Sequence, residues 1–195
     1  MVTITTVAGI DELAEILTLQ RANLKSNLTE IESDSQGFVT AEYDLDFLNA
    51  MHKERPSIIA KDGDKVVGYA LVTTKKTMPN HPLLNDLFIV LEKIEYKGTS
   101  LQHVNYVVVG QLCVAKDYRG MGLVQKMYGH FRETFATVFQ CCITDVVRNN
   151  PISLKAHLKT GFTIINSLSY GEEQWDIVLW DWQAEEQCKF SVETY

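Results

Sequence analysis

Val107–Phe135 reads VVVGQLCVAKDYRGMGLVQKMYGHFRETF. An apolar run ends at Val114, a short polar link follows, and Arg119-Gly120-Met121-Gly122 leads into residues with helical spacing. Leu123, Met127, Phe131 and Phe135 step by four, which predicts one buried helical face and a helix over about 122–139. A strand that delivers a glycine-rich turn onto a helix start makes a place for phosphate. The first N–H groups of the helix are unpaired, the helix dipole favours negative charge, and glycine lets the backbone come close. The pyrophosphate of a coenzyme is the phosphate that such a turn would take.

The surrounding sequence divides readily. Met1–Val7 alternates and predicts a strand; Asp11 is a candidate cap for a helix reaching about Lys25. Residues 27–40 are polar with Gly37 and predict a loop or broken helix. Asp44 is placed to cap a helix carrying Leu45, Phe47, Leu48 and Met51. Asp62-Gly63 between two apolar runs predicts a hairpin ending near Thr73. An insertion at about 75–104 holds a candidate helix over 83–91. After the central strand and its helix, Cys141–Val146 predicts a strand, and Asn150 opens a helix that ends at Gly161. Two strands joined near Tyr170-Gly171-Glu172 close the pattern. The order β-α-α-β-β-(insert)-β-α-β-α-β-β predicts an α/β (α+β) fold with mixed strand directions.

Composition narrows the function classes. The 195 residues are 46% hydrophobic, which suits one domain with a sizeable core. With 18 Lys and Arg against 25 Asp and Glu the net charge is −7, which argues against nucleic-acid binding. No apolar run is long enough for a membrane span, and no signal peptide is predicted. Cys113, Cys141, Cys142 and Cys188 have neither disulfide-like nor metal-ligand spacing, so no metal is expected and a reducing cytoplasm suits the chain. A dinucleotide fingerprint fails because Gln125 stands where its third glycine should be, and no P-loop motif occurs.

The motif Arg119-Gly120-Met121-Gly122-Leu123-Val124 resembles the Q/R-x-x-G-x-G/A coenzyme loop of the GNAT superfamily of acyl-CoA N-acyltransferases, with Val124 replacing the last small residue. Asn150-Pro-Ile-Ser153-Leu-Lys-Ala-His157-Leu-Lys-Thr-Gly161-Phe162 is similar to that family's N-x₂-A/S-x₃-Y-x₃-G-F pattern, with His157 at the tyrosine position. The resemblance implies a strongly twisted sheet of about seven strands flanked by helices, with a splay between its two central strands. It implies acetyl-CoA as co-substrate and an amine of a small molecule or peptide as acceptor.

The implied coenzyme contacts are Leu112, Cys113 and Val114 for the pantetheine arm and residues 119–124 for pyrophosphate. Asn150 and Ser153 follow at the next helix start, where Asn150 reads equally as an N-cap. His157 is the implied proton-handling residue. Gln111 stands near the family's glutamate position and could orient water or substrate; His81, His103, Glu92 and Asp44 are further candidates for a base. Phe38, Tyr43, Tyr170 and Trp175 are candidates to line the acceptor pocket. The C-terminal hairpin is a candidate for pairing in a homodimer. Two classes remain open, an N-acetyltransferase and a catalytically silent acyl-CoA-binding module.

Overall fold

The computed structural model describes residues 1–77 and 82–183. Seven strands form one sheet in the order β1-β2-β3-β6-β7-β9-β8. They are β1 (Val2–Thr6), β2 (Ile58–Asp62), β3 (Lys65–Thr73), β6 (Tyr106–Val114), β7 (Cys141–Val147), β8 (Thr163–Tyr170) and β9 (Glu173–Asp181). A small separate hairpin, β4 (Glu95–Tyr96) and β5 (Thr99–Ser100), lies in the insertion. All neighbours in the large sheet are antiparallel except β6 and β7.

Helices cover both faces. α1 (Ile10–Asn23) and α3 (Leu45–Glu54) pack Leu13, Ile16, Leu48 and Met51 against Tyr69 and Leu71 of β3. α5 (Leu123–Phe135) packs Met127, Phe131 and Phe135 against Ala70 and Val72, which point to the opposite face of the same strand. In the insertion, α4 (Pro82–Leu91) buries Leu87, Phe88 and Leu91 against Ile143 of β7 and Ile177 and Leu179 of β9. α6 (Pro151–Thr160) follows β7.

Two expectations are corrected, and the broken-helix alternative for residues 27–40 is the one found. Asp11 lies in the first turn of α1, and Gly9 is the N-cap. The polar stretch after α1 contains a helix, α2 (Glu30–Gln36), held by a reciprocal bond set between Thr29 and Glu32. α5 stops at Phe135, four residues early, and in the turn that follows the Val138 and Phe139 N–H groups both donate to the Phe135 carbonyl. His81 and Cys188 lie outside the described residues.

The central pair β6–β7 governs the rest. Its parallel register covers only Tyr106↔Cys141, Val107↔Cys142 and Val108↔Ile143. Beyond that point the strands part, and Thr144 Oγ1 donates to Val109 O at 2.8 Å where they separate. At the same level the β3–β6 register shifts, leaving Gly110 unmatched between Val109 and Gln111. A Cβ at Gly110 would lie 2.6 Å from Thr73 Oγ1, so only glycine fits this bulge.

Candidate active site

The splay opens into a groove of about 350 Å³. One wall is the end of β6. Ala115 N–H donates to Val67 O across to β3. The alternation of an antiparallel ladder then turns the N–H and C=O groups of Gln111 and Cys113 toward β3 and those of Leu112 and Val114 into the splay. Leu112 thus offers a backbone donor and acceptor to an amide-rich arm, and Val114 a donor, its carbonyl already accepting from Arg119. Cys113 lines the groove, but its peptide groups face the sheet.

The floor is the glycine turn. Gly120 (φ 77°) and Gly122 (φ 73°) are both left-handed, a conformation that other residues rarely adopt. α5 has no side-chain cap, and its first backbone bond is Lys126 N–H to Gly122 O. Several N–H groups of the turn and first helical residues therefore remain to be satisfied. Val124 packs its side chain against the apolar core, so the departure from a small residue leaves the backbone accessible. Met121 is not among the residues lining the groove and is half exposed.

Charge separates this groove from the rest of the surface. Arg119, Lys155 and Lys159 line it, with no carboxylate among the lining residues, although the chain carries a net charge of −7. Lys155 and Lys159 fall four apart on one face of α6, a spacing readable in the sequence that pointed to them. A polyanion with a long amide arm fits these donors and cations.

Two expected ligands serve as braces. Arg119 donates to Val114 O at 3.1 Å, Gln36 Oε1 at 2.9 Å and Asn23 Oδ1 at 2.5 Å, tying α1 and α2 to β6. Asn150 caps α6 through Ser153 N–H at 3.2 Å, and its Nδ2 donates to Phe38 O at 2.9 Å. The segment Gly37–Val39 thus bridges the groove opening.

A second cavity of about 80 Å³ adjoins the groove on the other side of Phe38 and Val39. Phe38, Tyr43, Tyr170 and Trp175 all line it, as do Gln111 and His157. Leu84 and Leu87 of α4 close one side. His103, Glu92 and Asp44 do not line it; Asp44 instead caps α3 through Phe47 N–H at 2.7 Å.

Asp145 is the side chain that sequence reasoning missed. It lines this cavity from β7, and burial pushes its carboxyl up to about 6. Its charge helps raise the phenols of Tyr43 and Tyr170 above the usual tyrosine range, after burial, the larger cause. The signal was present: in CCITDVV, Asp145 shares a strand face with Cys141, Ile143 and Val147, where an acid is out of place without a task.

His157 is buried, and burial lowers its pKa to about 4. At neutral pH it is uncharged; its Nδ1 lies 2.8 Å from Ser153 O, which assigns the proton there and leaves the Nε2 lone pair without a protein partner. Gln111 is engaged: Oε1 accepts from Tyr69 Oη at 2.7 Å and Gln20 Nε2 at 3.2 Å, and Nε2 donates to Ala41 O at 2.7 Å. Among the described residues, no group of three or more His, Cys, Asp or Glu could hold a metal, and no helix is long and apolar enough to cross a membrane.

Residues 21–162 match the family described as the Acetyltransferase (GNAT) family. No curated protein matches the chain at the sequence level. Among solved structures, the ribosomal-protein-S18-alanine N-acetyltransferase from Escherichia coli superposes with TM-score 0.61 at 12% identity, over 93% of this chain and 94% of that one. The yncA protein from Salmonella typhimurium, solved with its cofactor acetyl-CoA, has TM-score 0.59 at 15% identity, over 92% and 93%. The NatC complex bound to Gag peptide and CoA has TM-score 0.62 at 13% identity, over 92% and 98%. At these identities the likeness is one of fold.

Proposed function

The chain belongs to the Acetyltransferase (GNAT) family, and from that premise we propose that it takes acetyl-CoA as its acetyl donor and acetylates a primary amine by direct attack in a ternary complex. The observation that carries this reading is the pairing of a cationic groove with an adjoining cavity whose described lining holds one carboxylate, Asp145. The groove residues suit the coenzyme: N–H groups of the turn at 120–124 for pyrophosphate, Lys155 and Lys159 for phosphate charge, and Leu112 and Val114 for the pantetheine amides. The coenzyme supplies a thioester carbonyl; the protein supplies position and proton handling.

An amine enters water as an ammonium and must lose a proton before attack. Asp145, with its pKa near 6, is ionised at pH 7 and basic enough to take it. A second proton leaves the nitrogen as the new N–C bond forms, and the departing sulfur needs one. We assign that proton relay to His157, which lines the cavity with a buried, unpartnered Nε2. Gln111 is a positioning residue: its bonds with Gln20, Tyr69 and Ala41 hold α1, β3 and the Ala41 segment against β6 beside the reacting centre. The silent-module reading drew its support from the lack of a base near Gln111, and Asp145 weakens that ground.

The test is release of CoA thiol when acetyl-CoA meets a panel of amines. Turnover with at least one amine class is expected. Tight acetyl-CoA binding with no release across polyamines, amino sugars, amino acids, small monoamines and peptides would favour the silent module.

A further inference from the structure

The acceptor cavity carries more information than its acid. Its volume is about 80 Å³ beside about 350 Å³ for the coenzyme groove. A cavity about a quarter of the groove's volume suits an acceptor much smaller than the coenzyme. Its walls include the flat faces of Tyr43, Tyr170 and Trp175, the last two meeting edge to face at 5.6 Å between centroids. Among the described residues, Asp145 is the only carboxylate in the lining, and no lysine or arginine joins it.

The mouth is latched. Lys25, just after α1, binds Glu173 at the start of β9 at 2.6 Å, and its ammonium also sits 5.1 Å over the Phe38 ring. These contacts join the Phe38 segment to the β8–β9 turn, the two lips over the cavity. An extended peptide laid between the lips would need about 4.7–4.9 Å of clearance to each neighbouring chain and a partner for each buried N–H and C=O. For a peptide to lie there, the Lys25–Glu173 pair would have to part. On the opposite side, buried Leu84 and Leu87 of α4 close the cavity with aliphatic surface.

We infer that the acceptor is a small primary monoamine with a compact apolar body, enclosed whole in the cavity around Asp145, and that Leu84, Leu87 and the Lys25–Glu173 latch set this selectivity. The inference rests on the acceptor site assigned above. The ammonium meets Asp145 and aromatic faces, and the apolar body meets Leu84, Leu87 and Trp175. A second ammonium, as in a polyamine, would be buried without a counter-charge. A carboxylate, as in a free amino acid, would meet no cation and would face Asp145.

The experiment uses the whole chain with acetyl-CoA and follows CoA release. Isoamylamine and benzylamine are compared with putrescine, spermidine, alanine and a hexapeptide with a free N-terminus. The small monoamines are expected to exceed the others in kcat/KM by about 100-fold, since a buried unpaired charge or polar group gives discrimination of that order or more. Glu173→Ala, a change at a partly exposed side chain, unlatches the lips and should raise the hexapeptide-to-benzylamine ratio by about tenfold. A wild-type preference for the peptide, alanine or the polyamines overturns the inference and leaves the amine-transfer reading standing. An unchanged ratio in Glu173→Ala removes the latch from the selectivity. Acetyl-CoA binding by calorimetry without release from any of these amines sinks the amine-transfer reading itself, and the inference with it.

Discussion

Replacing Asp145 with Asn removes the proposed base without changing the volume of the side chain. General base catalysis contributes about 10²–10⁴-fold, so kcat should fall by at least about 100-fold, with the KM for acetyl-CoA little changed. The pH dependence is more specific. With a pKa near 6, about one molecule in eleven carries ionised Asp145 at pH 5 and about ten in eleven at pH 7. The acceptor's own titration contributes equally to both proteins. The ratio of wild-type to Asp145→Asn kcat/KM should therefore rise about tenfold from pH 5 to pH 7 and be flat above. The same shift has a stability consequence of opposite sign. A carboxyl raised in the folded state stabilises the fold only while protonated, so that contribution is present below the unfolded pKa near 3.8 and lost as pH rises through about 6. Two pKa units correspond to about 3 kcal/mol, and halving this for a side chain only half-buried leaves about 1.5 kcal/mol. Asp145→Asn should thus raise Tm by about 3–6 °C at pH 8, with a smaller gain below pH 6. CoA release across a pH series and thermal denaturation at two pH values measure both effects. A variant with wild-type turnover and the same pH limb refutes the base assignment; lost turnover without any gain in Tm refutes the desolvated setting from which the pKa follows.

Gly122→Asp puts a side chain and a negative charge at a left-handed turn residue, and should weaken acetyl-CoA binding by at least about 100-fold in calorimetry; normal affinity would remove the turn from the coenzyme site. Lys155→Ala with Lys159→Ala should raise the KM for acetyl-CoA several-fold at low salt and much less at high salt, because groove charges are screened. His157→Phe should lower kcat by about 10–100-fold while acetyl-CoA still binds, and unchanged turnover would take His157 out of the proton path. Burial pushes the Cys113 and Cys141 thiols up to about 12 and holds Cys142 well above the usual thiol range, so mass spectrometry after brief native treatment with a thiol reagent should find all three unmodified.

The fold was legible where local chemistry leaves one solution. Asp62-Gly63 between apolar runs gives a hairpin, Asn150-Pro151 starts α6 and Gly161 ends it in the left-handed conformation, as the structure shows. α2 escaped because its seven residues carry almost no apolar face, although Thr29 and Glu32 stand at the spacing of a reciprocal cap. The end of α5 escaped because Phe139 continues the step of four while the chain has already turned; Phe139 is buried from that turn. The coenzyme half of the site depends on a continuous strand–turn–helix, so its residues lie close in sequence. The acceptor half gathers side chains from the Phe38–Tyr43 segment, α4, β7 and the β8–β9 hairpin, and nothing local ties Asp145 to Tyr170.

The braces explain why the side chains expected to contact coenzyme need not do so to matter. A phosphate held by backbone N–H groups is held only as firmly as the backbone itself is fixed. Arg119 fixes it from three sides, on Val114, Gln36 and Asn23, while Asn150 fixes the start of α6 and the Phe38 carbonyl together. Both anchor the segment between the two cavities, with Leu24 and Val39 adding a parallel bridge. That segment must keep the amine within reach of the thioester while excluding water, and misplacement by about 1 Å costs on the order of 100-fold in rate. Arg119→Lys keeps the charge but loses the planar fork that reaches three acceptors. If bracing is the role of Arg119, Arg119→Lys lowers kcat with small and large amines alike and loosens residues 36–39 in hydrogen exchange. If phosphate charge is its role, the lysine preserves the KM for acetyl-CoA and the exchange pattern is unchanged.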